Sequence, residues 1–264
     1  MIAHNANASF RVMLVLLVIA VLCPGCAGGQ PRPFGGADMT GPARQLLLVT
    51  ADGWDSVTGE LRRYERAEAG GTWVQVGAPV SVNLGRKGLG WGRGLHGVAL
   101  GPGPVKREGD GRAPAGLFAV GTGFAYDPAE AGPTRLPMLR ADANLVCVDD
   151  VQSRHYNLFV EKSAVAQPDW TSAEDMLRAD GQYRLGALVR HNLDPVAPGG
   201  GSCIFMHIWK GQGMGTAGCT SMDPQAMLEV LRWLDAGRAP VLAQLPRQEL
   251  LRYGPSWNLP EPRP

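Results

Sequence analysis

The sequence predicts a mainly β protein, a β-sandwich or barrel of about ten short strands with one or two helices. Three observations lead there. Glycine (36) and proline (21) are abundant and aromatic residues make up only 7%, a composition that suits short strands joined by turns. Short apolar runs recur along the chain, each bounded by turn residues. Only one stretch carries a clear helical period with start signals.

The elements follow in order. Residues 12–22, "VMLVLLVIAVL", are an unbroken apolar run behind Arg11. That length is short for a membrane span and fits the apolar region of an export signal, expected over residues 1–27. Two processing sites fit. Cleavage before Cys26, with Gly25 at −1, resembles lipoprotein processing and would leave a lipidated Cys26 as a membrane tether, although Cys23 and Pro24 are unusual there. Cleavage after Ala27, with Gly25 at −3, fits the small-residue rule. Either way the expected location is outside the cytoplasm, in the cell envelope or periplasm. Residues 28–42, rich in glycine and proline, read as a flexible linker.

A single domain is expected over residues 43–246. Strand-like runs begin with "QLLLVT", "GELRRYER", "TWVQVG" and "PVSVNLG", and continue with "HGVAL", "GLFAV", "NLVCV", "YNLFV", "LGALVR" and "SCIFMHI". Asp223 and Pro224 are an N-cap and a first helical residue, after which Met227, Leu228, Leu231 and Leu234 share one face. Gly237 can close this helix. A weaker helix is predicted over 172–180, with Ser172 as cap, and "PVLAQLP" (240–246) is a last strand. Residues 247–264 read as a loose, proline-rich tail.

Net charge is +1 and no basic run stands out, so a nucleic-acid surface is not expected. The chain reads as a monomer. Export sharpens the cysteine arithmetic: beyond Cys23 and Cys26 there remain Cys147, Cys203 and Cys219. Thiols tend to pair outside the cytoplasm. Cys147 and Cys203 lie in apolar strand-like runs and are either a disulfide or two buried thiols; Cys219 is left over.

The stretch "HIWKGQGMGTAGCTSM" places His207 twelve positions before Cys219, with Gly211, Gly213, Gly215 and Gly218 between. A thiol attacks as thiolate, and a nearby imidazole can take its proton. Alternation can put Cys203, Phe205 and His207 on one side of a strand. The glycines would let the chain double back and bring Cys219 to His207. Gly218 allows a close backbone approach or a positive φ, and amides around Cys219 are candidate oxyanion donors. His207 should make the Cys219 thiol more acidic than a free cysteine. The bland alternative is a glycine-rich hairpin with an incidental histidine and cysteine.

"IFMHIW…GTAGCTSM" resembles the catalytic signature of the L,D-transpeptidases, the YkuD-type domain: a histidine after an apolar strand, then Ser/Thr-x-Gly-Cys, matched here by Thr216, Ala217, Gly218 and Cys219. Residues 106–126, "KREGDGRAPAGLFAVGTGFAY", resemble the family's "TPxGxF" segment, with Ala113 in place of the threonine. "GLGWGRGLHG", "YRLGALVRHN" and "PVLAQLP" are similar to the branch found in bacterial envelope proteins, and the resemblance spans about 45–246. It implies a YkuD-like β fold with Cys219 as nucleophile and His207 as its base, the imidazole held by a backbone carbonyl. The implied substrate is a peptidoglycan stem tetrapeptide, from which D-alanine leaves before an amine accepts the acyl group in cell-wall biogenesis. No cofactor and no metal are implied. Water as acceptor would make an L,D-carboxypeptidase; a non-catalytic envelope-binding lipoprotein of the same fold and an unrelated Cys–His peptidase are the other readings.

One departure stands out. The family commonly carries an arginine two places after the thiol, where this chain has Ser221. Arg190, Lys210 and Arg112 are the cations offered in its place, and Thr216, Ser221 and His191 complete the substrate-binding candidates. His96 reads as a structural or surface residue at a strand start. "GLGWGRG" lacks the flanking strand, helix and acidic partner of a dinucleotide loop and reads as a loop. A zinc site from Cys203, His207, His191 and Cys219 fails on spacing. Glu108 with Asp110 reads first as a turn, and Asp149 with Asp150 as a strand end.

Overall fold

Residues 45–51, QLLLVTA, are almost wholly buried. A strand buried on both faces must be covered on both, and the topology explains how. In the computed structural model, which describes Met1 and residues 39–261, thirteen strands and two helices form. The first strands are β1 (Gln45–Ala51), β2 (Thr58–Glu65), β3 (Val74–Asn83), β4 (Leu89–Trp91) and the long β5 (Ala113–Ala125). There follow β6 (Met138–Arg140), β7 (Leu145–Val148), β8 (Phe159–Glu161), β9 (Ala173–Asp175) and β10 (Leu185–Val189). The chain continues through β11 (Phe205–Ile208), β12 (Thr220–Met222), α1 (Pro224–Trp233), β13 (Val241–Pro246) and α2 (Arg247–Tyr253).

Eight strands close on themselves in the order β10-β11-β12-β3-β2-β1-β13-β5, with β5 pairing back to β10. Closure removes the open edges of the sheet. β4 and β6 both run parallel to β5, and α2 lies over β13 and β1. The inner face of β1 therefore meets the barrel core and its outer face meets a helix. A separate three-stranded antiparallel sheet, β8-β7-β9, lies outside the barrel.

The helix start reads as expected: Asp223 Oδ1 accepts from the Gln225 amide at 2.8 Å, with Pro224 first in the helix. Met227, Leu231 and Leu234 are buried, with Leu228 partly so. α1 ends at Trp233, ahead of Gly237.

Several expectations change. "TWVQVG" and "PVSVNLG" form one strand, β3, because a register shift opposite Leu61 and Arg63 lets pairing continue past Gly77 and Pro79. "HGVAL" is turn, not strand, and the glycine-rich 88–94 stretch contains β4. The helix predicted over 172–180 is instead β9 followed by a turn. Met176 is the buried apolar residue there, too little for a helical stripe, and Cys147 and Val146 of β7 pair with Glu174 and Asp175. The tail is not loose through Leu259: it forms α2 and buries Leu250, Trp257 and Leu259 against the core. Residues 40 and 41, expected in the linker, are likewise part of the fold, since Thr40 is buried and Arg66 donates to the Gly41 carbonyl. The export segment, Cys23, Cys26 and residues 28–38 lie outside the described residues.

Candidate active site

The parallel pair β11–β12 sets the site. His207 is in register with Ser221, and Cys219 stands just before the first residue of β12. On β11, Phe205 and His207 both make edge-to-face contacts with Tyr183, with ring centroids 5.4 and 5.1 Å away, so both point to one side. Cys203, just upstream, forms a disulfide with Cys147 of β7 and ties the outer sheet to the start of β11. Cys219 is the free thiol among the described residues.

His207 is buried, and its Nδ1 lies 2.7 Å from the carbonyl oxygen of Ile208. A carbonyl only accepts, so Nδ1 carries the proton, and in the neutral ring Nε2 keeps its lone pair. Nε2 makes no hydrogen bond among the described residues. Burial lowers the imidazole pKa to about 4, with the Ile208 carbonyl working weakly the other way.

Cys219 packs beneath the backbone of β11. The Phe205 amide donates to Sγ at 3.4 Å, and Sγ–H donates to the Cys203 carbonyl at 3.5 Å. Burial pushes the thiol up to about 12, and the negative charge of Glu174 adds to this; the Phe205 amide, Lys106 and Arg178 pull in the opposite direction. Burial thus works against the expected acidification of the thiol. Desolvation exceeds any help from a neutral imidazole. Both groups rest uncharged.

The glycine-rich loop before Cys219 is pinned at several points. The buried Asn83 side chain accepts from the Gly213 amide and donates to the Gly211 carbonyl, each at 2.8 Å. The Thr216 amide donates to Leu84, and the Arg86 amide to Thr216. The Thr216 hydroxyl donates to the Cys219 carbonyl at 2.6 Å and accepts from the Gly218 amide at 3.1 Å. Gly218 therefore has no free amide to offer a substrate oxygen. Its role is close approach rather than a positive φ: a Cβ there would lie 3.1 Å from the Arg112 carbonyl oxygen and 3.5 Å from Lys106 Nζ.

Cys219, His207, Gly218 and Thr216 line one cavity of about 270 Å³. Polar side chains also line it, among them Lys106, Arg178, Glu108, Asp149, Glu174 and Tyr183. None of these was a sequence candidate for the site. Glu108 and Asp149 read as turn and strand-end residues, and the segment of β9 and its following turn reads as a helix in the sequence. The "KREGDGR" turn is real: Asp110 accepts from the amides of Arg107 and Arg112 and from Lys106 Nζ. Glu108 leaves that turn and accepts from Ser202 Oγ at 2.7 Å and from the Tyr156 hydroxyl. The Tyr183 hydroxyl donates to Glu174 at 2.6 Å.

The remaining candidates sit elsewhere. Arg190 pairs with Asp194 at 2.6 Å, outside this cavity. Lys210 is exposed beyond β11. The Arg112 guanidinium is spent on the carbonyls of Leu89 and Trp54 and on Asp55. Ser221 is buried on β12 and does not line the cavity. His191 is buried against Phe118, with Nε2 2.9 Å from the Gly200 carbonyl and Nδ1 accepting from the Arg93 amide. His96 is fully interior: Nδ1 accepts from the Leu117 amide, and Gly116 is required beneath it, since a Cβ there would fall 2.0 Å from the ring. The four-residue zinc set is broken up, because Cys203 is committed to its disulfide and His191 is away from the cavity. Among the described residues no group of three or more His, Cys, Asp or Glu is placed to hold a metal.

The family model described as the L,D-transpeptidase catalytic domain (YkuD) matches residues 72–242, well over half of the chain. No curated protein matches.

Proposed function

Since the chain belongs to the YkuD family of L,D-transpeptidase catalytic domains, we propose that it is a cysteine-dependent acyltransferase acting on peptidoglycan stem peptides. Cys219 Sγ attacks the carbonyl of the third stem residue while His207 Nε2 takes the thiol proton. The tetrahedral intermediate collapses to a thioester, and His207 returns the proton to the departing D-alanine amine. A second amine, deprotonated by the same nitrogen, then attacks the thioester and frees Cys219.

One observation carries this reading: the Ile208 carbonyl holds His207 Nδ1–H, which leaves Nε2 as the acceptor nitrogen of a residue that lines the same cavity as Cys219. The uncharged resting pair suits the scheme. A buried thiolate is costly, so the proton moves only when the substrate carbonyl is there to take up the sulfur's electrons. The proposed location is the cell envelope, reached through the signal at 1–27, with Cys26 as lipid anchor or a free mature start after Ala27.

Incubation of the protein with a disaccharide-tetrapeptide tests the reading. Release of D-alanine with a cross-linked dimer establishes transfer, and release with tripeptide alone establishes hydrolysis. A folded protein that releases no D-alanine contradicts both.

A further inference from the structure

The cavity has an uneven electrostatic lining. Three carboxylates face it, Glu108, Asp149 and Glu174, and Asp149 Oδ1 is buried with no hydrogen-bond partner. Against them stand two cations, Lys106 and Arg178. The Lys106 side chain is only 3% exposed, and its ammonium is bonded to Asp110 and to the Arg107 carbonyl, each at 2.7 Å. Two of its three N–H donors are therefore committed to partners in the cavity wall.

Arg178 is also paired with an aspartate but is far more open. Its side chain is 37% exposed. Its guanidinium lies over the Tyr183 ring, 4.9 Å from the centroid, and Tyr183 packs edge-to-face with His207. Asp180 takes Nε and Nη2 on one edge of the guanidinium. Nη1 makes no hydrogen bond among the described residues. The backbone is fixed as well: the Arg178 amide donates to the Tyr126 hydroxyl, and that hydroxyl donates to the Arg178 carbonyl. A planar cation clamped on one edge, stacked on a ring and open on its other edge is pre-organised for a carboxylate.

We propose that Arg178 is the carboxylate-recognition residue of the donor site, selecting acyl donors that carry a free carboxylate. This rests on the acyl-transfer reading above and names the specificity of that site. A stem peptide brings its own negative charge into a cavity walled by Glu108, Asp149 and Glu174. Without a reachable cation that charge would be repelled. The chemistry is the same for the terminal carboxylate of the leaving D-amino acid and for a carboxylate on the third residue's side chain, and the donors below separate the two.

The test compares three tetrapeptide donors with the full chain: the free acid, the C-terminal carboxamide, and a peptide whose third-residue side-chain carboxylate is amidated. Initial rates of Cys219 acylation give kcat/KM for wild type, Arg178→Gln and Arg178→Lys. In wild type, amidating the recognised carboxylate should lower kcat/KM about tenfold or more, mostly through KM. In Arg178→Gln the acid and that amide should differ by no more than about twofold. Arg178→Lys should restore part of the preference. Which amide loses rate identifies which carboxylate is read. The inference is overturned if wild type acylates all three donors equally. It is also overturned if Arg178→Gln keeps the wild-type preference, or lowers all three donors alike, as a purely structural residue beside Tyr183 would. Failure of wild type to be acylated by any donor would instead sink the acyl-transfer reading, and this inference with it.

Discussion

His207 Nδ1 lies 2.7 Å from the carbonyl oxygen of Ile208, the next residue of the same strand. This bond fixes the tautomer without a third side chain, and burial holds the imidazole pKa near 4. The proton acceptor is thus in its working form at all pH values well above 4. We expect kcat/KM to show no histidine inflection between pH 8 and 5, the range in which an ordinary imidazole would titrate near 6.5. His207→Ala should lower the acylation rate by about 10²–10⁴-fold. An acidic limb centred near pH 6.5 would show that His207 is solvated as an ordinary histidine.

The free thiol should be sluggish. With Cys219 pushed up to about 12 by burial, its thiolate fraction at pH 8 is far below that of an ordinary cysteine. Alkylation by iodoacetamide in the substrate-free protein should be slow and still rising at pH 10, and His207→Ala should leave that profile nearly unchanged. A plateau below pH 8 that depends on His207 would mean a preformed ion pair.

Acid should destabilise the fold early. His96, His191 and His207 are each 3% exposed or less, and burial lowers each pKa from 6.5 to about 4. The unfolded chain therefore takes up protons at these positions from about pH 6.5 downward, while the folded chain does so only near 4. Depressed pKa values place the stabilisation above pH 6.5 and remove it as pH falls towards 4. Each histidine should cost about 1 kcal/mol by pH 5.5, so the three together should lower Tm by roughly 6–12 °C relative to pH 7.5. Melting curves at the two pH values measure this. An unchanged Tm would contradict the burial of all three.

Asn83 should matter although it lies outside the catalytic cavity. Its side chain accepts from the Gly213 amide, which has no other partner among the described residues, and donates to the Gly211 carbonyl, which also accepts from the Met214 amide at 3.4 Å. Asn83→Ala should cost about 1–3 kcal/mol of stability if both groups stay buried, less if water reaches them. It should also lower acylation by loosening the approach to Cys219. A urea titration beside the rate assay separates the two effects. Wild-type stability and rate together would mean that the loop holds its shape through Thr216 alone.

Much of this was legible in the residues. Chain-local signals carried through: the Asp223–Pro224 helix start, the apolar runs of β1, β7, β10 and β13, and the His207…Thr-x-Gly-Cys219 spacing. Parts that depend on pairing between distant segments did not. Residues 173–175 have no strand period of their own and become β9 because β7 offers them an edge. The tail carries prolines, yet Leu250 and Trp257 find apolar partners in the core. Lys106, Glu108, Asp149, Glu174 and Arg178 meet at one cavity from turns and strand ends that the sequence alone cannot bring together. Arg190, His191 and Lys210 stand near the motif strands in sequence, but strand direction and burial take them elsewhere. The thiol's charge state also escaped the sequence, since it depends on how dry the site is.

The most direct test of the central claim is intact-protein mass spectrometry of the chain mixed with a tetrapeptide stem and quenched in acid, followed by peptide mapping. The account predicts an adduct equal to the tetrapeptide less D-alanine, carried by Cys219, absent in Cys219→Ala and strongly diminished in His207→Ala. A folded wild-type protein that releases D-alanine without any adduct on Cys219, or with Cys219→Ala as active as wild type, would contradict it.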